Sequence, residues 1–194
     1  MNKPVFYKSF RSRKSENISI PETSLAQSVS SERSIILDIG FGTGESSIAL
    51  SQMYPDKQVC GIEAYKPGIQ RLLSKNMCVE YGDAMAIIEQ LKENTISQIY
   101  MLFPDPWQKS KHRKRRLFNK YTFKIINTIL KEEGIFHFTT DNINYAFEAK
   151  EIIESISSAN IDFSRHRGMR PITKYELKGM RKNNFIFDLI YLKN

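Results

Sequence analysis

The segment Asp38–Gly44, which reads DIGFGTG, constrains the fold of this chain more than any other part of the sequence. It begins inside an apolar run with the character of a buried strand, and SSIAL, which follows it closely, has the character of a helix start. Three glycines at alternate positions let the backbone turn tightly and leave room for a ligand beside it. The pattern therefore predicts the strand–turn–helix unit of nucleotide-binding α/β folds.

The spacing within and after this turn indicates what the turn binds. Its third glycine comes one residue earlier than in the dinucleotide-binding fingerprint, and an acidic residue, Asp38, precedes the first glycine. A second predicted strand ends in Glu63, twenty-five residues after Asp38, where a carboxylate can accept both hydroxyls of a ribose. These features favour a ligand with a cationic amino-acid end and no pyrophosphate, which points to S-adenosylmethionine. The alternative is a tight turn that holds no ligand.

Strand-like and helix-like segments alternate along the chain. Predicted strands cover residues 34–39, 58–63, 77–81, 97–103, 135–140, 161–164 and 185–192. Predicted helices begin at about residues 45, 67, 84, 117 and 145; Glu133 and Gly134 are expected to end the fourth, and residues 170–176 to form a polar loop. The order predicts an α/β fold: a mostly parallel sheet of about seven strands, with helices on both faces and an antiparallel C-terminal strand.

The chain is predicted to contain one folded domain. Residues 1–33 are basic and serine-rich and are expected to form an N-terminal arm, ahead of a domain at residues 34–194. A chain of 194 residues, 41% of them hydrophobic, is long enough for one sizeable core.

Acidic side chains recur where the predicted parallel strands end. Five of them lie at or near the carboxyl ends of strands: Asp38, Glu63, Asp83, Asp105 and Asp141. That edge of an open α/β sheet is where ligands bind. Each residue could singly be a helix N-cap, because Asp is favoured there, but five on one edge favour a binding site.

A stiff acidic turn lies directly beside the densest positive charge in the chain. Asp105 stands between two prolines, which fix φ and remove backbone donors, and close to the only tryptophan, Trp107. The segment Lys109–Arg116 then carries six Lys and Arg residues within eight positions. Such a turn could present a nucleobase to chemistry while the cations hold the surrounding phosphates. A solvated basic loop, or a nucleic-acid patch without catalysis, is the alternative.

The distribution of charge supports a polyanionic partner. The net charge is +8, and positive residues are concentrated in Lys109–Arg116 and in the first fourteen residues, which hold five Lys or Arg. Cys60 and Cys78 lack CxxC spacing and are expected to be buried thiols, neither a disulfide nor a zinc site. The three histidines are dispersed, so no metal site is expected. No apolar run has transmembrane or signal-peptide character, which favours a cytoplasmic protein.

These motifs together resemble the bacterial tRNA (guanine-N7)-methyltransferase family over roughly residues 34–192. The blocks that carry the resemblance are Asp38–Gly44, GIE at 61–63, GDA at 82–84, FPDPWQK at 103–109, KHRKRR at 111–116, TD at 140–141 and TKYE at 173–176. The resemblance implies a Rossmann-like class I methyltransferase fold, S-adenosylmethionine as the cofactor, and methylation of N7 of guanosine 46 in the variable loop of tRNA. Neither a metal nor a membrane partner is expected, and the protein is expected to be a monomer or a homodimer, between which the sequence does not decide.

The resemblance also assigns roles to individual residues. It implies a cofactor site lined by Asp38, Gly40, Gly42, Gly44, Glu63, Asp83 and Asp105, with Asp105 also the catalytic residue. It implies that the substrate is contacted by Lys109, Asp141, Thr173, Lys174, Tyr175 and Glu176. It implies an RNA-interaction segment made of Lys111, His112, Arg113, Lys114, Arg115 and Arg116. Position 111 departs from the family, which often has Arg there; Lys keeps the charge but lacks the bidentate fork.

Methylation of guanine N7 suits these residues. N7 carries an in-plane lone pair, so the reaction needs no general base, and catalysis consists mostly of positioning and electrostatics. The methylated purine is cationic, and a nearby carboxylate stabilises that charge. Asp105, Asp141 or Glu176 could also accept hydrogen bonds from the N1–H and exocyclic amine of guanine, a donor pair that adenine lacks. Trp107 and Tyr175 either stack on a base or anchor the core.

Three other functions remain open from the sequence. A basic RNA-binding domain without activity would not need a full set of strand-end carboxylates. A methyltransferase acting on a small neutral molecule would not need six cations beside its active site. A nicotinamide-dependent oxidoreductase fits least, because the glycine spacing differs from the dinucleotide fingerprint.

Overall fold

The fold is described from a computed structural model, in which residues 3–4, 25, 33–164 and 166–194 are described. The predicted N-terminal arm lies almost entirely outside these residues, so it stays a prediction. Within the described residues, no helix has the length and apolar composition that crossing a membrane requires.

A seven-stranded sheet forms the centre of the fold. Its strands are β1 (Ile35–Ile39), β2 (Gln58–Glu63), β3 (Cys78–Tyr81), β4 (Ile96–Leu102), β5 (Leu130–Thr140), β6 (Phe163–Ser164) and β7 (Phe187–Leu192). Within residues 33–164 and 166–194, the helices are α1 (Glu45–Met53), α2 (Lys66–Leu73), α3 (Ala84–Ile88), α4 (Lys120–Ile129), α5 (Ile143–Ser157) and α6 (Lys174–Met180), with a 3₁₀ helix at Ser110–Arg115.

The strand order is β3-β2-β1-β4-β5-β7-β6. The first five strands pair in parallel, whereas β7 runs antiparallel to β5 and β6. The predicted α/β fold with an antiparallel C-terminal strand is thereby confirmed. The parallel arrangement brings the carboxyl ends of β1 to β5 to one edge of the sheet.

β1 shows why the central strands are apolar throughout. All five of its residues are buried. Leu37 and Ile39 pack into the larger core cluster with side chains of α3, α4 and α5, whereas Ile36 packs on the other face with Leu50 of α1. A parallel sheet covered by helices on both faces leaves its central strands no solvent-exposed side.

The boundary between α4 and β5 lies earlier than the sequence predicted. β5 begins at Leu130, directly after α4, so Glu133 and Gly134 lie inside the strand and do not end the helix. Leu130 pairs with Ile96 of β4, and this pairing extends the strand toward the helix. Glu133 then takes a positive φ of 59°, in the irregular stretch before the ladder resumes.

A short helix, α6, occupies part of the segment that was predicted as a polar loop. Its N-cap is Thr173, whose hydroxyl accepts a hydrogen bond from the backbone N–H of Glu176 at 3.1 Å. Thr-x-x-Glu is the sequence form of a capping box, which marks a helix start. The helix is only seven residues long, so its apolar periodicity was too short to indicate it.

The two cysteines are joined, which corrects the prediction of separate thiols. Cys60 in β2 and Cys78 in β3 are register partners in adjacent parallel strands, with their Cα atoms 4.6 Å apart. Their sulfur atoms form a disulfide. Sequence spacing could not indicate this bond, because the proximity depends on how the two strands align.

Candidate active site

The turn Gly40–Gly44, called here the glycine turn, connects β1 to α1 and packs closely against α2. A Cβ added to Gly68 of α2 would lie 1.8 Å from the carbonyl oxygen of Gly42, so only glycine permits this approach. Gly40 has a φ of 77°, and apart from its chain neighbours no described residue has an atom within 4 Å of where its Cβ would lie. One side of the glycine turn therefore packs tightly against α2, whereas the turn is open at Gly40. No sequence motif had marked Gly68.

Asp38 lies buried beneath the glycine turn, at the end of β1. One carboxylate oxygen, Oδ2, accepts hydrogen bonds from the hydroxyls of Ser46 and Ser47, each at 2.7 Å. The other oxygen, Oδ1, is fully buried and has no hydrogen-bond partner among the described residues. Burial raises the pKa of Asp38 to about 6, although the two serine hydroxyls oppose this rise. A buried acceptor without a donor is costly, so Oδ1 is suited to a ligand that supplies one.

Glu63 joins the end of β2 to the glycine turn. Its Oε2 accepts a hydrogen bond from the backbone N–H of Gly42 at 2.7 Å, and its Oε1 accepts from the N–H groups of Ala64 and Tyr65. Burial raises the pKa of Glu63, and these hydrogen bonds oppose the rise. A carboxylate offers about four acceptor positions, so one on Oε2 remains for a ribose hydroxyl.

Asp83 is the N-cap of α3. The sequence had left this capping role open for each acid at a strand end. Its carboxylate accepts a hydrogen bond from the backbone N–H of Met85 at 3.0 Å. The N–H of the preceding Gly82 donates to the carbonyl oxygen of Glu63 at 3.1 Å. The Gly82–Glu63 hydrogen bond holds Asp83 next to the end of β2, so that Asp83 lies on the same edge of the sheet as Asp38.

Asp105 is exposed in a strained turn after β4. Phe103 and Trp107, two residues to either side, have φ values of 54° and 41°, which bulky side chains rarely adopt. The N–H of Trp107 donates to the Asp105 carboxylate at 3.0 Å, and the N–H of Phe103 donates to the carbonyl oxygen of Thr139 in β5 at 2.8 Å. These bonds fix the turn while leaving the carboxylate accessible.

The basic segment after this turn forms the 3₁₀ helix and is largely exposed. Lys109 is its N-cap, and Lys109, Lys111, Arg113 and Lys114 are all exposed. Trp107 packs against this segment: its ring lies edge-on to the His112 ring at 5.7 Å, and the Arg115 guanidinium lies 5.0 Å from it. Trp107 thus contacts the basic segment and does not anchor the core, and its stacking on a base stays a prediction.

Arg116 differs from its predicted role as an RNA contact, because it is buried. Its guanidinium forms an ion pair with Glu148, donates to the carbonyl oxygen of Pro106 at 2.7 Å and stacks on Tyr145 at 4.5 Å. Only 2% of the residue is exposed, so its charge is not available to a phosphate. Arg116 instead fastens the Asp105 turn to α5. From the sequence alone, the buried Arg116 could not be distinguished from the five exposed or half-exposed Lys and Arg residues of the same segment.

The first turn of α6 reaches the glycine turn. The ammonium of Lys174 donates a hydrogen bond to the hydroxyl of Thr43, and the hydroxyl of Tyr175 lies 3.9 Å from where a Cβ on Gly42 would be. Thr173 and Glu176 face inward and are buried. The predicted substrate segment therefore divides into two exposed residues near the glycine turn and two structural ones.

A buried ion-pair network, which the sequence did not indicate, anchors α6. Arg170 forms two hydrogen bonds to Asp188 of β7, at 2.5 and 2.8 Å, and one to Glu176 at 2.6 Å. Arg167 pairs with the other oxygen of Glu176 at 2.9 Å, and His137 of β5 lies 2.7 Å from Asp188. Burial alone would raise the pKa of Asp188, but Arg170 and His137 lower it to about 2. Both oxygens of Glu176 are thus engaged within the protein.

Asp141 lies at the end of β5 and keeps part of its carboxylate accessible. Its Oδ2 accepts a hydrogen bond from the side chain of Asn184 at 3.0 Å and lies close to Gly179 of α6. The residue is half-buried. Of the predicted guanine-binding acids, Asp105 is exposed and Asp141 half-buried, whereas Glu176 is buried and bound by two arginines.

The residues around the glycine turn fit S-adenosylmethionine. The unpartnered oxygen of Asp38 can accept from an ammonium, Glu63 has an acceptor left for a ribose, and the open side of Gly40 leaves space. The predicted acids Asp38, Glu63 and Asp83 all belong to this edge. Among the described residues, no group of three or more His, Cys, Asp or Glu side chains is arranged to hold a metal ion.

Comparisons with known proteins give a consistent result. A family described as "Putative methyltransferase" matches residues 32–189. A tRNA (guanine-N(7)-)-methyltransferase from Buchnera aphidicola subsp. Acyrthosiphon pisum is 39% identical over 171 residues, covering 81% of this chain and 71% of the relative. Another from Actinobacillus succinogenes is 36% identical over 176 residues, covering 82% of this chain and 70% of the relative.

A solved structure shares the fold. The precorrin-6y C5,15-methyltransferase from Geobacter metallireducens superposes with a TM-score of 0.58 at 14% identity, covering 87% of this chain and 85% of that chain. At this identity the likeness concerns the fold alone, which is that of the class I methyltransferases. The sequence matches go further and confirm the predicted family: the chain belongs to the tRNA (guanine-N(7)-)-methyltransferase family.

Proposed function

We propose that this protein transfers a methyl group from S-adenosylmethionine to N7 of guanosine 46 in tRNA. One observation carries the proposal: the glycine turn and the Asp105 turn follow two directly paired strands, β1 and β4. The chain order reverses between these strands, since β2 and β3 lie on one side and β5 on the other. Such a switch point opens the crevice where α/β proteins bind ligands.

The cofactor side of this crevice is formed by the glycine turn. Asp38 Oδ1 would accept a hydrogen bond from the cofactor's ammonium, which satisfies the buried oxygen. Glu63 would accept from the ribose while it continues to hold Gly42. S-adenosylmethionine supplies an electrophilic methyl group on a positively charged sulfur.

The catalytic side is formed by Asp105. Guanine N7 attacks with its own lone pair, so the protein has no proton to remove, and positive charge develops on the purine. The exposed carboxylate of Asp105, held by the strained turn, would stabilise that charge. The half-exposed oxygens of Asp141 are the second candidate for contact with the guanine edge.

The tRNA side is formed by the basic segment, which directly follows the Asp105 turn. Lys109, Lys111, Arg113 and Lys114 are exposed and would contact phosphates, which dominate affinity for nucleic acids. The proposal leaves Arg116 out of this role, because the residue is buried. The names of the relatives support tRNA as the substrate.

Two tRNA transcripts test the proposal. One carries guanosine at position 46, and the matched control carries adenosine there and is otherwise identical. With methyl-labelled S-adenosylmethionine, label should enter the first transcript and not the second. Equal labelling of both transcripts would reject position 46, and labelling of neither would reject tRNA methylation.

A further inference from the structure

Lys174, in the first turn of α6, places its ammonium group at the rim of the glycine turn. Lys174 donates a hydrogen bond to Thr43, although the two residues are 131 positions apart in the chain. Its ammonium also lies 3.6 Å from the carboxylate of Glu45, the first residue of α1. Lys174 therefore contacts the turn that holds the cofactor in the proposed function.

The rim of the glycine turn carries an excess of positive charge. Glu45 is shared by two cations, because Arg71 of α2 contacts its other oxygen at 2.7 Å. One carboxylate between two cations leaves one positive charge uncompensated within this cluster. The side chains of Lys174, Glu45 and Arg71 are 45%, 46% and 44% exposed, so a ligand can reach them.

α6 holds this cation in a fixed position. Glu176, two residues after Lys174, is bound by Arg167 and Arg170, and Arg170 is bound in turn by Asp188 of the sheet. The capping bond from Glu176 N–H to Thr173 fixes the start of the helix. The position of Lys174 is thereby tied to the core of the fold.

The opposite charge lies beneath the same turn. Asp38 presents a buried oxygen, to which no described residue donates, at the end of β1 and the base of the glycine turn. The turn is therefore bordered by an anion below and by a surplus cation at its rim. The amino-acid end of S-adenosylmethionine has the complementary pair of groups, an ammonium and a carboxylate.

We infer that Lys174 is the counter-ion of the cofactor's carboxylate, so that α6 forms part of the cofactor site. This inference rests on the proposed function, since it assumes that the glycine turn binds S-adenosylmethionine. It gives Lys174 a different role from the substrate contact that the family resemblance implied. The ammonium would exchange its contact with Glu45, which keeps Arg71, for one with the cofactor.

Ligands with and without the amino-acid end test this inference. Isothermal titration calorimetry would measure binding of S-adenosylhomocysteine, which has the carboxylate, and of 5′-methylthioadenosine, which lacks it. Lys174→Met should weaken S-adenosylhomocysteine binding by about tenfold, the scale of one charge-assisted hydrogen bond, and leave 5′-methylthioadenosine binding unchanged. The matched control is Lys182→Met, which removes one exposed cation beyond the other end of α6.

The outcomes distinguish a failure of the Lys174 contact from a failure of the cofactor assignment. A selective loss for S-adenosylhomocysteine in Lys174→Met, absent from Lys182→Met, supports the contact. Unchanged affinity for both ligands, or equal losses for both, would overturn it while leaving the cofactor assignment intact. A wild-type protein that binds neither ligand would overturn the cofactor assignment itself.

Discussion

Asp105 is exposed, and the turn that holds it has an unfavourable backbone conformation at Phe103 and Trp107. The positive φ values of Phe103 and Trp107 are costly for bulky residues and persist because the surrounding hydrogen bonds enforce them. Asp105→Asn keeps the size of the side chain but removes its charge. If the charge stabilises the developing purine cation, single-turnover methylation at saturating tRNA and cofactor should slow by about 10²-fold or more.

The control for this variant is its affinity for tRNA and for S-adenosylhomocysteine. Both should stay close to wild type, because the basic segment and the glycine turn are unchanged. A near-normal rate for Asp105→Asn would leave Asp105 as a turn former. Asp141 would then be the next candidate, because Glu176 is engaged by two arginines.

Asp38 should make cofactor binding depend on pH. Its pKa is raised to about 6, whereas an ammonium bound at Oδ1 favours the ionised form. Affinity for S-adenosylhomocysteine should therefore be full above pH 6 and fall by up to about tenfold per pH unit below it. Titrations on either side of that pH check this. Asp38→Asn should bind more weakly and lose most of the dependence, with a remainder from Glu63, whose pKa burial also raises. A variant that keeps the wild-type profile would exclude Asp38 as its source.

At the scale of elements, the basic 3₁₀ helix should supply the salt-dependent part of tRNA affinity. Replacing the exposed residues Lys111, Arg113 and Lys114 together with Ala should flatten the slope of log K against log salt by about two to three. Filter binding over a range of salt concentrations measures this slope.

Arg116→Met is the matched control, because it removes a cation from the same segment that is buried. It should leave the salt slope unchanged and lower the free energy of unfolding by about 1–3 kcal/mol, since it breaks hydrogen bonds to Pro106 and Glu148. A salt slope reduced in Arg116→Met and unchanged in the triple variant would reverse the assignment.

The sequence predicted most elements, because strong local patterns define them. α1 begins at Glu45 and β2 spans Gln58–Glu63, as periodicity and turn residues indicated. α6 was missed although the capping box at Thr173 and Glu176 was visible, because a seven-residue helix has little periodicity. The start of β5 was misplaced because pairing between Leu130 and Ile96 extends the strand beyond its apolar run.

Across the whole molecule, the Arg170–Asp188–Glu176 network joins α6 to the sheet and should make the fold sensitive to acid. The pKa of Asp188 is lowered from 3.8 to about 2, so its contribution to stability is full above pH 3.8 and disappears as the pH falls toward 2. The difference in unfolding free energy between wild type and Asp188→Asn should shrink by about 2 kcal/mol over that interval. Urea unfolding at several pH values measures it, and a constant difference would contradict it.

The same network shows where sequence reasoning ends. Strand-end acids such as Asp38 and Glu63 were predicted because parallel strands bring their carboxyl ends to one edge. Arg170 and Asp188 carried no motif, and His137 pairs with an acid 51 positions away. Whether Arg116 or Glu176 faces solvent or the core depends on tertiary packing. The position of these acids at one edge of the sheet was thus predictable, whereas the packing that buries Arg116 and Glu176 was not.

Identifying the atom of tRNA that receives the methyl group is the most direct test of the central claim. Purified tRNA would be treated with the protein and S-adenosylmethionine, digested to nucleosides and analysed by chromatography with mass spectrometry, with Asp105→Asn as the control. The account predicts 7-methylguanosine as the product, in much lower yield with Asp105→Asn. Formation of 1-methylguanosine, N2-methylguanosine or a methylated adenosine, or no methylated nucleoside at all, would contradict it.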